Sequence, residues 1–173
     1  VSGQRTASSI PLGITIQSPP NGVVTSTRFI PVSGIVSDGS AAVTVDGSPA
    51  IVSGDQYVAP VVELVEGENT LTAQATRGAE IADAQVSVTY NAPPSIVITS
   101  PSDGATLRVA PVDVEGVVDD LAAFVDVNGV VATVGAGGRF LARDVPLSPG
   151  ENPLLARAID PLGAIGTDRV VVT

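Results

Sequence analysis

The sequence predicts an all-β protein built as two tandem Greek-key β-sandwiches, and three observations carry that reading. Hydrophobic residues make up 44% of the chain, yet only three Phe and two Tyr are present. The apolar mass is Val, Ile, Leu and Ala, broken by 18 Gly and 14 Pro, which favours short strands and tight turns over long helices. The third observation is repetition: nearly the whole chain aligns with itself, so the fold occurs twice.

The repeat can be followed from the start. Ile14-Thr-Ile-Gln-Ser-Pro-Pro-Asn-Gly22 aligns with Ile96-Val-Ile-Thr-Ser-Pro-Ser-Asp-Gly104 at an offset of 82. The same offset sets Gly34 on Gly116, and Val43-Thr-Val-Asp-Gly47 on Val125-Asp-Val-Asn-Gly129. One extra loop residue places Gly67-Glu-Asn69 on Gly150-Glu-Asn152 at 83, and a second brings Val86-Ser-Val-Thr89 onto Val170-Val-Val-Thr173 at 84. Insertions confined to loops are what a duplicated fold predicts. The organisation that follows is an N-terminal linker or arm over 1–12, a first domain over 13–91, a Pro-rich linker over 92–95 and a second domain over 96–173. Asn91-Ala-Pro-Pro-Ser95 reads as a short, stiff joint, because consecutive prolines hold the backbone extended.

Alternation marks the strands. In the first copy Ile14/Ile16, Val32/Val36, Val43/Val45, Leu71/Ala73/Ala75 and Val86/Val88 are expected to face inward. Their counterparts are Ile96/Ile98, Val114/Val118, Val125/Val127, Leu154/Ala156/Ala158 and Val170/Val172. Asp46-Gly47 and Asn128-Gly129 lie between alternating runs and predict two-residue hairpins, whose turns need a positive φ. Tyr57, Ala59, Val62 and Leu64 change step midway, as do Phe140, Ala142, Val145 and Leu147; a one-residue bulge keeps all four of each set on the core face. About seven short strands per copy result, which suits a Greek-key sandwich.

These residues also carry a resemblance. Ile-x-Ile-x-Ser-Pro-x-x-Gly, then Val-x-Val-Asn/Asp-Gly, then Leu-x-x-Gly-Glu-Asn is similar to bacterial immunoglobulin-like repeats, and more narrowly to the B domain of glucodextranase. In the second copy Ala158-Ile-Asp160-Pro-Leu-Gly163 is similar to that family's Ala-x-Asp-x-x-Gly turn, whereas the first copy departs with Ala75-Thr-Arg77-Gly-Ala-Glu80. Pro153 stands where the family has Thr, at a strand start, where proline costs one ladder donor. The resemblance covers 14–173 and implies tandem immunoglobulin-like sandwiches serving as spacers, adhesin stalks or accessory modules of secreted or cell-surface proteins.

Composition removes several chemistries. Cys, His, Met and Trp are absent, which excludes disulfides, Cys/His zinc sites and His-based acid–base catalysis. Without Met, the sequence reads as a processed or excised piece with any signal peptide outside it. All eight basic residues are Arg, so Ser-Lys catalysis is excluded too. The net charge of −10 disfavours nucleic acid and anionic membrane, and no apolar run approaches the ~20 residues of a membrane helix.

Candidate sites are few. Asp38, Asp119 and Asp120 follow the second predicted strand, with Asp126 nearby in sequence; clustered carboxylates suit calcium, but no Asp-x-Asp-x-Asp-Gly loop is present and solvated turn aspartates are the preferred reading. Glu68 and Glu151 recur in Gly-Glu-Asn, one per copy, so a glycosidase-like carboxylate pair is set aside for a turn in which Asn bonds the backbone. Asn21-Gly22, Asp103-Gly104 and Gly135-Ala-Gly-Gly138 are turns, since none opens a helix. Phe29 and Phe124 fall out of phase with the core valines and are the candidates for ligand contact, such as a sugar face.

The function expected is a non-catalytic spacer, stalk or adhesion repeat, with no resident cofactor. Its partners are other domains of the same polypeptide or other surface proteins. Two alternatives stand beside it: a subunit of a surface filament or layer, self-assembled through edge strands or the arm at 1–12, and an accessory carbohydrate-binding module of a secreted glycosidase.

Overall fold

The computed structural model describes residues 10–173 and resolves the chain into two compact units, one ending at Asn91 and one spanning Ala92–Thr173. The first unit contains β1 (Ile14–Ser18), β2 (Val23–Thr25), β3 (Phe29–Val36), β4 (Ala42–Val45), β5 (Ser48–Pro49), β6 (Ile51–Ser53), β7 (Gln56–Glu63), β8 (Gly67–Arg77) and β9 (Glu80–Tyr90). They form two sheets, ordered β1-β3-β7-β6 and β2-β9-β8-β4-β5. The second contains β10 (Ile96–Ser100), β11 (Val112–Val118), β12 (Phe124–Val127), β13 (Val130–Val131), β14 (Thr133–Val134), a 3₁₀ turn over Ala136–Gly138, β15 (Arg139–Val145), β16 (Asn152–Ile159) and β17 (Ile165–Val172). Its sheets run β10-β11-β15-β14 and β13-β12-β16-β17. Each unit is an immunoglobulin-like sandwich. Beyond the strands expected from alternation, the first unit adds β2 and β5 and the second adds β13.

The inward faces are those the alternation predicts. Every paired position named above is buried except Ile16, which is half-buried and packs against the first core; Leu147 is likewise half-buried against the second. Val45 and Ser48 pair across Asp46-Gly47, and Val127 and Val130 across Asn128-Gly129, with all four turn residues at positive φ. The bulge is present in both copies. Ile30 and Val32 on β3 face Val62 and Ala59 on β7, while Val112 and Val114 on β11 face Val145 and Ala142 on β15. The extra residue keeps the core parity of each edge-to-centre strand.

One aromatic ring sits in each core, opposite a glycine. Gly34 pairs with Tyr57 and Gly116 with Phe140. A Cβ at Gly34 would meet the Thr15 carbonyl and the Tyr57 hydroxyl, and one at Gly116 the Val97 carbonyl and the Phe140 ring. The missing side chain is therefore the room the ring needs. Tyr57 differs from Phe140 by a hydroxyl that donates to the Thr15 carbonyl at 3.0 Å. Burial pushes this hydroxyl up to about 12 from the ordinary 10.0.

The Gly-Glu-Asn turn is held by its asparagine. Asn69 accepts from the Val65 amide at 2.9 Å and donates to the carbonyls of Val65 and Gly67 at 2.8 and 2.9 Å. Asn152 repeats this with Ser148 and Gly150, all three bonds at 2.7 Å. One side chain thus replaces three backbone partners in a tight loop.

Two segments read as linkers are partly built into the units. Of the arm at 1–12, the described residues 10–12 dock on the first unit: Leu12 packs against the core, the Ile10 carbonyl accepts from Arg77, and the Pro11 carbonyl accepts from the Ser37 hydroxyl at 3.1 Å. Residues 1–9 lie outside the described residues. Within the linker read at 92–95, Pro94 is buried and its carbonyl lies against Gly166, where a Cβ could not fit. The Ser95 amide donates to Asp119 at 2.8 Å, completing the anchorage to the second unit.

Two outcomes are expected. Asn152→Ala orphans three backbone groups and lowers stability by about 1–3 kcal/mol, read as a shift in denaturant midpoint, with no change in monomer mass. Tyr57→Phe is less stable than the parent at neutral pH. Because the folded value is raised, the hydroxyl's advantage is complete below pH 10 and disappears as pH rises through about 12, so the two midpoints converge there.

Candidate functional site

The polar residues singled out in the sequence sit on turns, and the structure shows what each one holds. Asp38 follows β3. It accepts from the Ser40 amide at 2.8 Å and from Arg77, which also bridges to Glu80. The amide and hydroxyl of Ser40, followed by the Arg77 guanidinium, bring the carboxyl down to about 2 from 3.8. Asp120, the equivalent residue, accepts from the Ala122 amide at 2.8 Å in the same two-residue span. Asp119 instead faces Ser95. The three calcium candidates therefore serve three separate backbone amides, and among the described residues no group of three or more acidic side chains is placed to hold a metal ion. Glu68 accepts from the Ser87 hydroxyl at 2.6 Å, and Glu151 is exposed on the equivalent turn of the other unit.

A second set of side chains closes the last strand of each unit. The Ser87 amide donates to Asn21 and the Gly22 amide returns a bond to the Ser87 carbonyl, both at 2.7 Å. This leads into β2, which pairs with β9 in parallel. Asp103 takes the Val171 amide and Gly104 donates to the Val171 carbonyl, again at 2.7 Å. Asp168 adds a bond from the Ile98 amide at 2.7 Å, which occupies an outward donor of the edge strand β10. The other edges are short, and β5 ends in Pro49. Edges of this kind are poor templates for an added strand.

Phe29 and Phe124 are exposed, at 53% and 49%. Each lies in its own unit. Phe29 lines an open groove of about 370 Å³ with Asp46, Ser48, Val61 and Glu63. Arg28 lies 5.7 Å from its ring centroid and pairs with Glu63 at 2.7 Å, so the ring is flanked by charge of both signs.

Phe124 is different, because the sheet extends it into a row. It pairs with Ile159, which pairs with Ile165, and this places three apolar side chains side by side across β12, β16 and β17. The next row is Asp126, Arg157 and Thr167. Asp126 is 5% exposed; Nε and Nη2 of Arg157 both reach its Oδ2 at 2.9 Å, and its Oδ1 accepts from the Gly129 amide at 3.1 Å. Leu155 and Arg169 form the following pair, both exposed. Alternation alone did not single out Ile159, Ile165, Arg157 or Arg169. The signal was present in the repeat, in the outward positions at which the two copies disagree.

Comparison with known proteins follows this geometry. Residues 94–173 match the family model described as glucodextranase, domain B, so the second unit resembles that domain. No curated protein matches the chain. Among solved structures, a titin fragment (A168169) is 12% identical, with 94% of each chain covered and a TM-score of 0.41. The fibronectin(III)-like modules of CbhA from Clostridium thermocellum are 14% identical, with 92% of each chain covered and a TM-score of 0.36. Among the described residues no helix is long and apolar enough to cross a membrane.

The paired Asp38 makes acid stability testable. Its folded value is depressed, so the stabilisation is present above pH 4 and is lost as pH falls through about 2. Asp38→Asn is expected to be less stable than the parent at pH 7, with the gap between their thermal midpoints closing between those two values.

Proposed function

We propose that this chain is a non-catalytic structural module of a secreted or cell-surface protein, a spacer or stalk that sets the reach of what its polypeptide carries. The observation that supports this best is where the repeated polar residues go. Asn69 and Asn152, Asn21 and Asp103, and Asp38 and Asp120 all bond turn backbone, and they do so at equivalent places in both units. What the duplication kept is scaffold. Two self-contained cores joined by a short segment containing Pro93 and Pro94 give a module whose useful property is its length. The resemblance of the second unit to an accessory domain of glucodextranase fits the same role. Its partners on this reading are the flanking parts of its own polypeptide and neighbouring surface proteins.

A carbohydrate-binding role is the second reading, favoured by one feature: the exposed Phe29 ring beside Ser48 and Glu63 in an open groove. One ring without a second platform makes a shallow site. A filament role built on edge strands is opposed by the blunted edges described above.

The spacer reading is tested in the protein that carries the module. Residues 10–173 are replaced by an unrelated two-sandwich tandem of like length, or deleted, and a tag beyond the module is stained on intact cells. Replacement is expected to preserve staining and deletion to reduce it. Staining only after permeabilisation overturns the surface assignment, and loss of staining on replacement shows that surface chemistry matters more than length.

A further inference from the structure

The two units share their cores and turns, but one sheet face differs systematically. On the first unit the outward row of β4, β8 and β9 is Ala42, Thr76 and Ile81, and the next is Thr44, Gln74 and Asp83. The rows that follow are Thr72 with Gln85, Thr70 with Ser87, and Glu68 with Thr89. This face is hydroxyl- and amide-rich, with Glu68 and Asp83 as its exposed charges. On the second unit the equivalent positions carry Phe124, Ile159 and Ile165, then Asp126, Arg157 and Thr167, then Leu155 with Arg169. Ala has become Phe, two Thr have become Ile and Leu, and two Gln have become Arg.

These exchanges are not required by the fold, since the first unit folds with the other set and the side chains point away from the core. They also oppose ordinary solubility. Phe124 and Ile165 stand 49% exposed in one row, where an isolated surface residue would need no explanation but a registered row does. The charge on this face is cationic in a chain of net charge −10. Asp126 is buried and committed to Arg157 and Gly129, so it adds little negative potential outward, whereas Arg169 is exposed.

We infer that the β12-β16-β17 face of the second unit docks on the β4-β8-β9 face of the first unit of another copy of this chain. The charges are complementary: Arg157 and Arg169 on one side meet Asp83 and Glu68 on the other. The acceptor face also offers Thr and Gln hydroxyls and amides for the guanidinium donors, and Ile81 for the apolar row. Anionic polymers are a poorer occupant, because the rest of an acidic chain repels them. Two copies can satisfy each other reciprocally or extend in a row, and both arrangements use the same faces. A weak contact suffices where modules are crowded on one surface, since tethering raises the effective concentration. The inference goes beyond the spacer reading: an unrelated tandem would restore reach but not this association.

Sedimentation equilibrium of the intact chain, up to about 1 mM and at low and high salt, tests it. The parent is expected to associate, and less so as salt is raised. Arg169→Glu weakens association by roughly tenfold or more, and so does Asp83→Arg. The second result is the decisive one, because Asp83→Arg lowers the net negative charge and would strengthen any association limited by general repulsion. The double variant Arg169→Glu/Asp83→Arg is expected to associate again. Phe124→Ala and Leu155→Thr, which install the types that the first unit tolerates at Ala42 and Thr72, also weaken it while leaving the thermal midpoint within a few degrees. A strict monomer at 1 mM in low salt overturns the inference and leaves the spacer reading untouched. Association indifferent to Arg169→Glu, or strengthened by Asp83→Arg, overturns the choice of faces.

Discussion

Each unit is arranged around a ring laid across a glycine on the adjacent strand. With cores made mostly of Val and Ala, Tyr57 and Phe140 are the largest fully buried side chains, and they fill space that no aliphatic residue could. The ring demands Gly34 or Gly116 opposite, because a Cβ there would collide with the ring and with the carbonyl of β1 or β10. That close approach ties three strands of one sheet together. The bulge two residues further along then returns the same strand's apolar residues to the core.

Around that centre the polar residues act as fasteners. A sandwich of about 80 residues buries a limited apolar area, so unsatisfied backbone at turns would be costly relative to its total stability. Asn69, Asn152, Asn21, Asp103 and Asp160 each bond backbone groups that no strand partner reaches; Asp160 takes the amides of Leu162 and Ala164 at 2.8 and 2.9 Å. The two copies solve the turn between their last two strands differently. The second uses this buried aspartate, and the first closes a tighter turn at Gly78 with Arg77 pinned between Asp38 and Glu80. The shorter loop leaves no room for an internal cap, so an exposed ion-pair cluster takes its place.

Much of this was legible before any coordinates. Asp46-Gly47 and Asn128-Gly129 announce hairpins because few residues tolerate positive φ at two successive positions. The parity break at 59–62 announces a bulge because a slip of one residue would turn buried valines to solvent. The parallel pairing of β2 with β9 was not legible: three residues, half of them exposed, carry no periodic signal, and the partner strand is far away in sequence. Likewise Asp119 and Asp120 read as one acidic pair, although successive residues of an extended chain point to opposite sides and so meet different partners.

What the sequence determined by itself was local and periodic: the duplication, the strands, the inward faces, the hairpins and the absence of His- or Cys-based chemistry. Those follow from spacing along one chain, where two-residue alternation and turn propensity act over a few residues. Tertiary structure alone decided which outward residues share a face. Phe124, Ile159 and Ile165 are scattered in the sequence, and only strand register sets them in one row. Cross-strand neighbours lie about 5 Å apart whatever their separation along the chain, so a surface that could recognise a partner becomes visible only once the sheet is built.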